Sequence, residues 1–177
     1  MQATSVISNS ITQDIRLKGH QSIRFAPDGF SVLVSDAGYT PVYLKHYTSE
    51  STVPVKDLVS ECSRILDEEG LLSFEGETVL ITDSMAATLL PSQFVDVDKN
   101  REILEKICSL DKTDRVFDRS IKTRDFHLIF AVPEKIIGLG NRFASDVKIL
   151  HTAECLLSLS DQVKSCLLYT SPSPRDC

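Results

Sequence analysis

The chain has 177 residues, 42% of them hydrophobic and 25% charged, enough to bury a core without disulfides or metals. A net charge of −6 supplies no basic stripe to neutralise phosphates, which excludes a general nucleic-acid binder. No apolar run approaches the roughly 20 residues that a membrane span requires.

Residues 1–14 are polar and rich in Ser and Thr, without the basic start and apolar middle of a secretory signal. They read as a flexible leader on a cytoplasmic protein. Residues 21–26 then alternate apolar and polar with period two, Pro27-Asp28-Gly29 is a strong turn signal, and residues 30–35 form a return strand. Asp36-Ala37-Gly38 turns the chain again into a third strand over 40–48. Turns this short demand antiparallel neighbours, so the three strands make a meander.

Val55, Leu58, Val59, Cys62, Ile65 and Leu66 recur at helical spacing, with Pro54 suited to the first turn and Gly70 to the stop. Residues 78–82 are a short buried-type strand. Residues 89–95 allow two readings, a short helix entered through Pro91 or a surface crossover. Asp98 is placed to cap a second helix with an apolar face of Ile103, Leu104, Ile107 and Cys108. Residues 115–122 and 124–132 are two further strands. Pro133 opens a helix carrying Ile136, Ile137, Leu139 and Phe143, and residues 146–150 are a strand, an order that predicts a βαβ unit with parallel pairing. A last helix over about 153–164 carries Leu156, Leu157 and Val163, an apolar stripe expected to lack its partner.

Cys62, Cys108 and Cys155 sit on the apolar sides of these helices, without Cys-x-x-Cys spacing, and read as reduced structural thiols. Residues 166–177 break every period. Cys166 to Asp176 resembles a translated sequencing adapter, so this tail is read as non-native and the natural protein as continuing beyond Ser165.

A three-strand meander followed by alternating helices and strands is the order of the ribonuclease-H-like lobe, the building block of actin-like, sugar-kinase and Hsp70 ATPases. The expected fold class is therefore α/β with a mixed sheet. Ser22-Ile23-Arg24-Phe25-Ala26-Pro27-Asp28-Gly29-Phe30-Ser31-Val32-Leu33-Val34, Leu89-Leu90-Pro91-Ser92-Gln93-Phe94 and Leu128-Ile129-Phe130-Ala131-Val132-Pro133, with His151 following, resemble an uncharacterised Bacteroidetes family, domain of unknown function 3822. The resemblance implies an actin-like ATPase fold, with the pilus-assembly M protein and the cell-division actin homologue as functional analogues. It divides the chain into a first lobe over 15–150, a subdomain inserted at about 85–122, and the start of a second lobe over 151–165.

In actin-like ATPases the first hairpin carries an Asp that organises Mg²⁺, followed by small residues that let backbone N–H groups approach phosphate. Aligned on Gly29, that Asp is replaced by Pro27; aligned on residues 30–34, by Ala26. Pro27 also removes a donor, and Phe30 puts bulk where a small hydroxyl belongs. Asp28 and Gly29 are thus a hairpin turn or, at most, a degenerate phosphate loop. His20, His46, His127 and His151 show no i, i+4 metal spacing, Asp67, Glu68 and Glu69 read as a solvated helix end, and Asp83-Ser84-Met85 follows a strand without a partner base. A ribonuclease-H-type nuclease needs clustered carboxylates, and residues 21–26 contain none. No catalytic or metal residue is therefore assigned. The expected function is a non-catalytic scaffold with a protein partner and no cofactor; the alternative is a nucleotide-binding ATPase, using ATP and Mg²⁺, completed by a second lobe.

Overall fold

In the computed structural model, which describes residues 1–50, 52–84, 86–121 and 124–162, the chain opens with β1 (Gln2–Ser8), α1 (Gln13–Lys18), β2 (His20–Ala26), β3 (Gly29–Ser35), β4 (Pro41–Thr48) and α2 (Val55–Glu68). It continues with β5 (Glu77–Thr82), β6 (Ala87–Pro91), α3 (Asn100–Glu105), β7 (Arg115–Ile121), β8 (Phe126–Val132), α4 (Glu134–Gly140), β9 (Val147–His151) and α5 (Thr152–Gln162). The strands form a six-stranded sheet ordered β1-β4-β3-β2-β5-β9 and a three-stranded sheet ordered β6-β8-β7. The meander is as expected, with β2–β3 and β3–β4 antiparallel, while β5 joins β2 and β9 joins β5 in parallel.

The period-two pattern decides the sheet's inner face. Ile23, Phe25, Phe30, Val32, Val34 and Leu80 are buried there against Leu58, Cys62, Ile65 and Leu66 of α2 and Ile136 and Leu139 of α4. At the end of α2, Gly70 takes φ +65°, its N–H reaches Asp67 O, and Leu71 N–H reaches Leu66 O at 2.7 Å. This is a Schellman stop, closed by contact between two wholly buried leucines. The adjacent acids are accommodated because Glu69 pairs with Lys45 at 2.8 Å, Glu68 pairs with Arg64, and the Arg16 guanidinium donates to the Gly70 and Glu69 carbonyls.

Residues 1–14, expected as a flexible leader, instead carry β1 and the start of α1. Residues 2–8 pair antiparallel with β4, and α1 is fixed at both ends, by the Thr12 hydroxyl at its start and by Arg16 O receiving Glu75 and Gly76 N–H groups. Edge strand β1 is solvent-exposed almost throughout, so it needs no hydrophobic period. Its ladder hydrogen bonds and the β-branched Thr4, Val6 and Ile7 hold it.

Three other expectations are corrected. Residues 126–150 are not a βαβ unit, because β8 lies in the second sheet and β9 in the first. The apolar run in β8 has another cause: Leu128, Phe130 and Val132 face the main core while Ile129 and Ala131 pack on Leu104 of α3, so both faces are buried. The second sheet accordingly extends past residue 122 to Val132. Asp98 does not cap α3; it lies in a 3-10 turn (Val97–Lys99), and Leu104 is buried whereas Ile107 is exposed. For residues 89–95 the first reading holds in part: β6 ends at Pro91, which then stands at the N-cap of a short 3-10 helix (Ser92–Phe94).

On α5, Leu156 of the expected stripe is exposed but Leu157 is half-buried, Leu159 outside the stripe is also exposed, and Val163 lies outside the described residues. The adapter-like tail, Cys166 and Cys177 also lie outside them. Cys62 is fully buried and burial pushes its thiol well above the usual range, whereas Cys108 and Cys155 are half-buried. Native alkylation with iodoacetamide is therefore expected to label Cys108 and Cys155 before Cys62, because the thiolate is the reactive form. Labelling of Cys62 at an equal rate, read by peptide mass, would contradict its burial.

Candidate functional site

The C-terminal ends of parallel strands β2 and β5 meet the starts of α2 and α4, the kind of place where open α/β sheets bind ligands. A pocket of about 230 Å³ lies here, bounded by the β2–β3 hairpin, residues 52–58, Thr82, Asp83 and Ser84, and Pro133 with Ile136. Phe25, Val53, Val55, Leu58 and Ile136 make its lining largely apolar.

The hairpin is tied down from both sides. Ala26 pairs with Gly29 across a two-residue loop, and neither Pro27 nor Asp28 takes a positive φ, which suits Pro at the second position of a type I turn. The Pro27 carbonyl accepts Val53 N–H at 3.1 Å and the Asp28 carbonyl accepts Ser49 N–H at 2.8 Å. Gly29 is buried, and a Cβ built on it would stand 2.0 Å from the Tyr47 carbonyl oxygen. Its missing side chain serves the close approach of β3 to β4. Phe30 beside it stacks on Tyr47 at 4.6 Å between ring centroids.

Asp83 closes the rim. Its N–H donates to Phe25 O at 2.9 Å, and its carboxylate pairs with Arg24 at 2.5 Å. Ser84 is engaged through both oxygens, the hydroxyl accepting Ala86 N–H and the carbonyl accepting from His151 Nε2 at 2.9 Å. His151 Nδ1 accepts Ala153 N–H at 3.0 Å, so the proton sits on Nε2 and the ring links the start of the second sheet to β9. Met85 lies outside the described residues.

The remaining histidines are dispersed. His20 stacks on Tyr39 at 4.2 Å and pairs with Glu77, His46 meets the Ser31 hydroxyl at 2.7 Å, and His127 meets Asp118 at 2.5 Å. Among the described residues no three His, Cys, Asp or Glu side chains gather as a metal site. Sequence reasoning missed the Arg24–Asp83 pair. The available signal was Arg24 itself, the charged residue of an otherwise uncharged strand segment at 21–26.

The family described as protein of unknown function (DUF3822) matches residues 8–166, nearly the whole chain. The chain belongs to that family. A search of curated proteins finds no match. Among solved structures, this DUF3822 chain is similar to a Bacteroides thetaiotaomicron VPI-5482 protein described as having an actin-like ATPase fold and unknown function. The two share a TM-score of 0.71 at 15% identity, over 89% of this chain and 61% of that one. The likeness establishes the fold, an actin-like α/β lobe with a mixed sheet, and the DUF3822 chain spans less than two thirds of its neighbour's length. No helix among the described residues is long and apolar enough to cross a membrane.

Proposed function

We propose that this DUF3822 protein is a non-catalytic actin-like scaffold of the cytoplasm that works by binding another protein and needs no nucleotide. The observation that carries this reading is Gly29, the glycine in the phosphate-loop position, turned onto the Tyr47 backbone and buried. Phosphate cradles require backbone N–H groups presented to the ligand. Here the loop contributes Pro27, which has none, and an apolar wall stands where a hydrated Mg²⁺–phosphate would need oxygen ligands. The one carboxylate among the described lining residues, Asp83, is neutralised by Arg24.

The rival reading, a nucleotide-dependent enzyme completed by a second lobe, draws its support from the pocket's position at the C-terminal ends of β2 and β5. Isothermal titration of the full-length protein with Mg-ATP separates the two. No saturable heat up to millimolar nucleotide is expected; micromolar binding with phosphate release would defeat the scaffold reading.

A further inference from the structure

The surface groove between α2 and α4 has a composition unlike the rest of this acidic chain. It encloses about 540 Å³ and carries Lys56, Lys135 and Arg142, with no acidic residue in its lining. Arg24, Lys45, Arg64 and Lys148 have carboxylate partners, whereas among the described residues these three, like Arg16, Lys106, Lys112 and Arg119, have none; the groove is where three such cations gather. Arg142 is nonetheless held in place, since its guanidinium donates to the hydroxyl of the buried Ser63. A pre-positioned guanidinium loses little entropy on meeting an anion.

The floor is apolar, made by Val59 and the buried Leu139. Gly138 also lines the groove, exposed in the interior of α4, where glycine costs helix stability relative to alanine. Packing does not demand it, because a Cβ added there would meet nothing within 4 Å. What the glycine does is keep the groove deep. Gly29, Gly19 and Gly76, by contrast, are each forced by backbone or side-chain atoms closer than 3.0 Å.

We infer that this groove binds an acidic, leucine-bearing peptide segment of a partner protein, its carboxylates on the three cations and an apolar side chain over Gly138. Charge complementarity selects the acidic partner, and the apolar floor selects a peptide over a bare phosphate, which has nothing to place there. Exposed lysines such as Lys56 and Lys135 can cover apolar surface with their stems while the ammonium groups stay hydrated. The groove lies apart from the hairpin pocket, so this inference stands whether or not that pocket takes nucleotide.

Fluorescence polarisation of the full chain with a labelled peptide alternating glutamate and leucine tests it. Saturable binding that weakens with salt is expected, reduced about tenfold by Lys56→Glu combined with Lys135→Glu, both exposed and unpaired. A lysine–leucine peptide should prefer that double variant over the unmodified chain. Gly138→Leu should abolish binding at unchanged circular dichroism, and Gly138→Ala should raise the melting temperature while weakening the peptide. Equal binding by the unmodified and charge-reversed chains would overturn the inference. So would full displacement by equimolar inorganic phosphate, or a dimer of this chain broken by the same substitutions.

Discussion

Gly29→Ala is expected to destabilise the protein by about 3 kcal/mol or more, the upper range for overpacking. The new methyl would stand 2.0 Å from Tyr47 O and 3.1 Å from Thr48 Cα, both backbone atoms of β4 that no rotamer change can withdraw. Relief requires moving β4 from β3, and β4 also carries β1 on its other edge. Asp28→Ala, one residue earlier and exposed, should lie within about 0.5 kcal/mol of the unmodified protein. Urea unfolding with a shared m-value distinguishes the pair. If Gly29→Ala were as mild as Asp28→Ala, the glycine would be free of the sheet, and the argument that it is spent on packing would fail.

Phe130→Ala is expected to cost about 3–5 kcal/mol, as for other buried aromatic truncations. Phe130 is wholly buried on β8, stacks on Phe117 of β7 at 5.4 Å, and tilts against His151 of β9 at 5.2 Å. It therefore joins the second sheet to the first as well as filling volume. Loss of the ring should lower the unfolding midpoint and increase amide exchange in β6–β8 more than in β2–β5. Uniform exchange across both sheets would show that the two sheets open as one unit and that Phe130 has no special linking role.

The meander could be read from residues alone because residues 21–26 and 30–35 alternate and Pro27-Asp28-Gly29 permits only a tight reversal. The stop of α2 was equally plain, since Gly70 is the residue that takes φ +65° without strain. Edge strand β1 carries no such signal, because an element exposed on both sides needs no apolar face. β8 misled for the opposite reason. Burial on both faces gives the same unbroken apolar run whether the strand is central in a parallel sheet or sandwiched between a core and α3.

At the hairpin, the missing acid was visible in Ala26 and Pro27, but Gly29's contact with Tyr47 joins strands separated by a turn whose geometry the sequence leaves open. At the second turn the residue with positive φ is Tyr39 rather than Gly38, held as Asp36 accepts Gly38 and Thr40 N–H groups. Arg24 and Asp83 are 59 residues apart and meet because β5 lies parallel to β2. Lys135, Gly138 and Arg142 follow one another at spacings of three and four along the α4 segment, a pattern that gains meaning only once α2 lies beside it.

The amide resonances of Asp28, Gly29 and Ser84 in the full-length protein, followed during Mg-ATP addition, test the hairpin most directly. Asp28 and Ser84 are held through their carbonyl oxygens by Ser49 N–H and His151 Nε2, and Gly29 is packed on Tyr47 O, so the loop backbone should not turn toward a ligand and these shifts should stay fixed as nucleotide is raised to millimolar levels. Saturable movement of Gly29 and Ser84 together, reversed by a chelator of Mg²⁺, would place a phosphate where packed sheet backbone is expected and contradict the account.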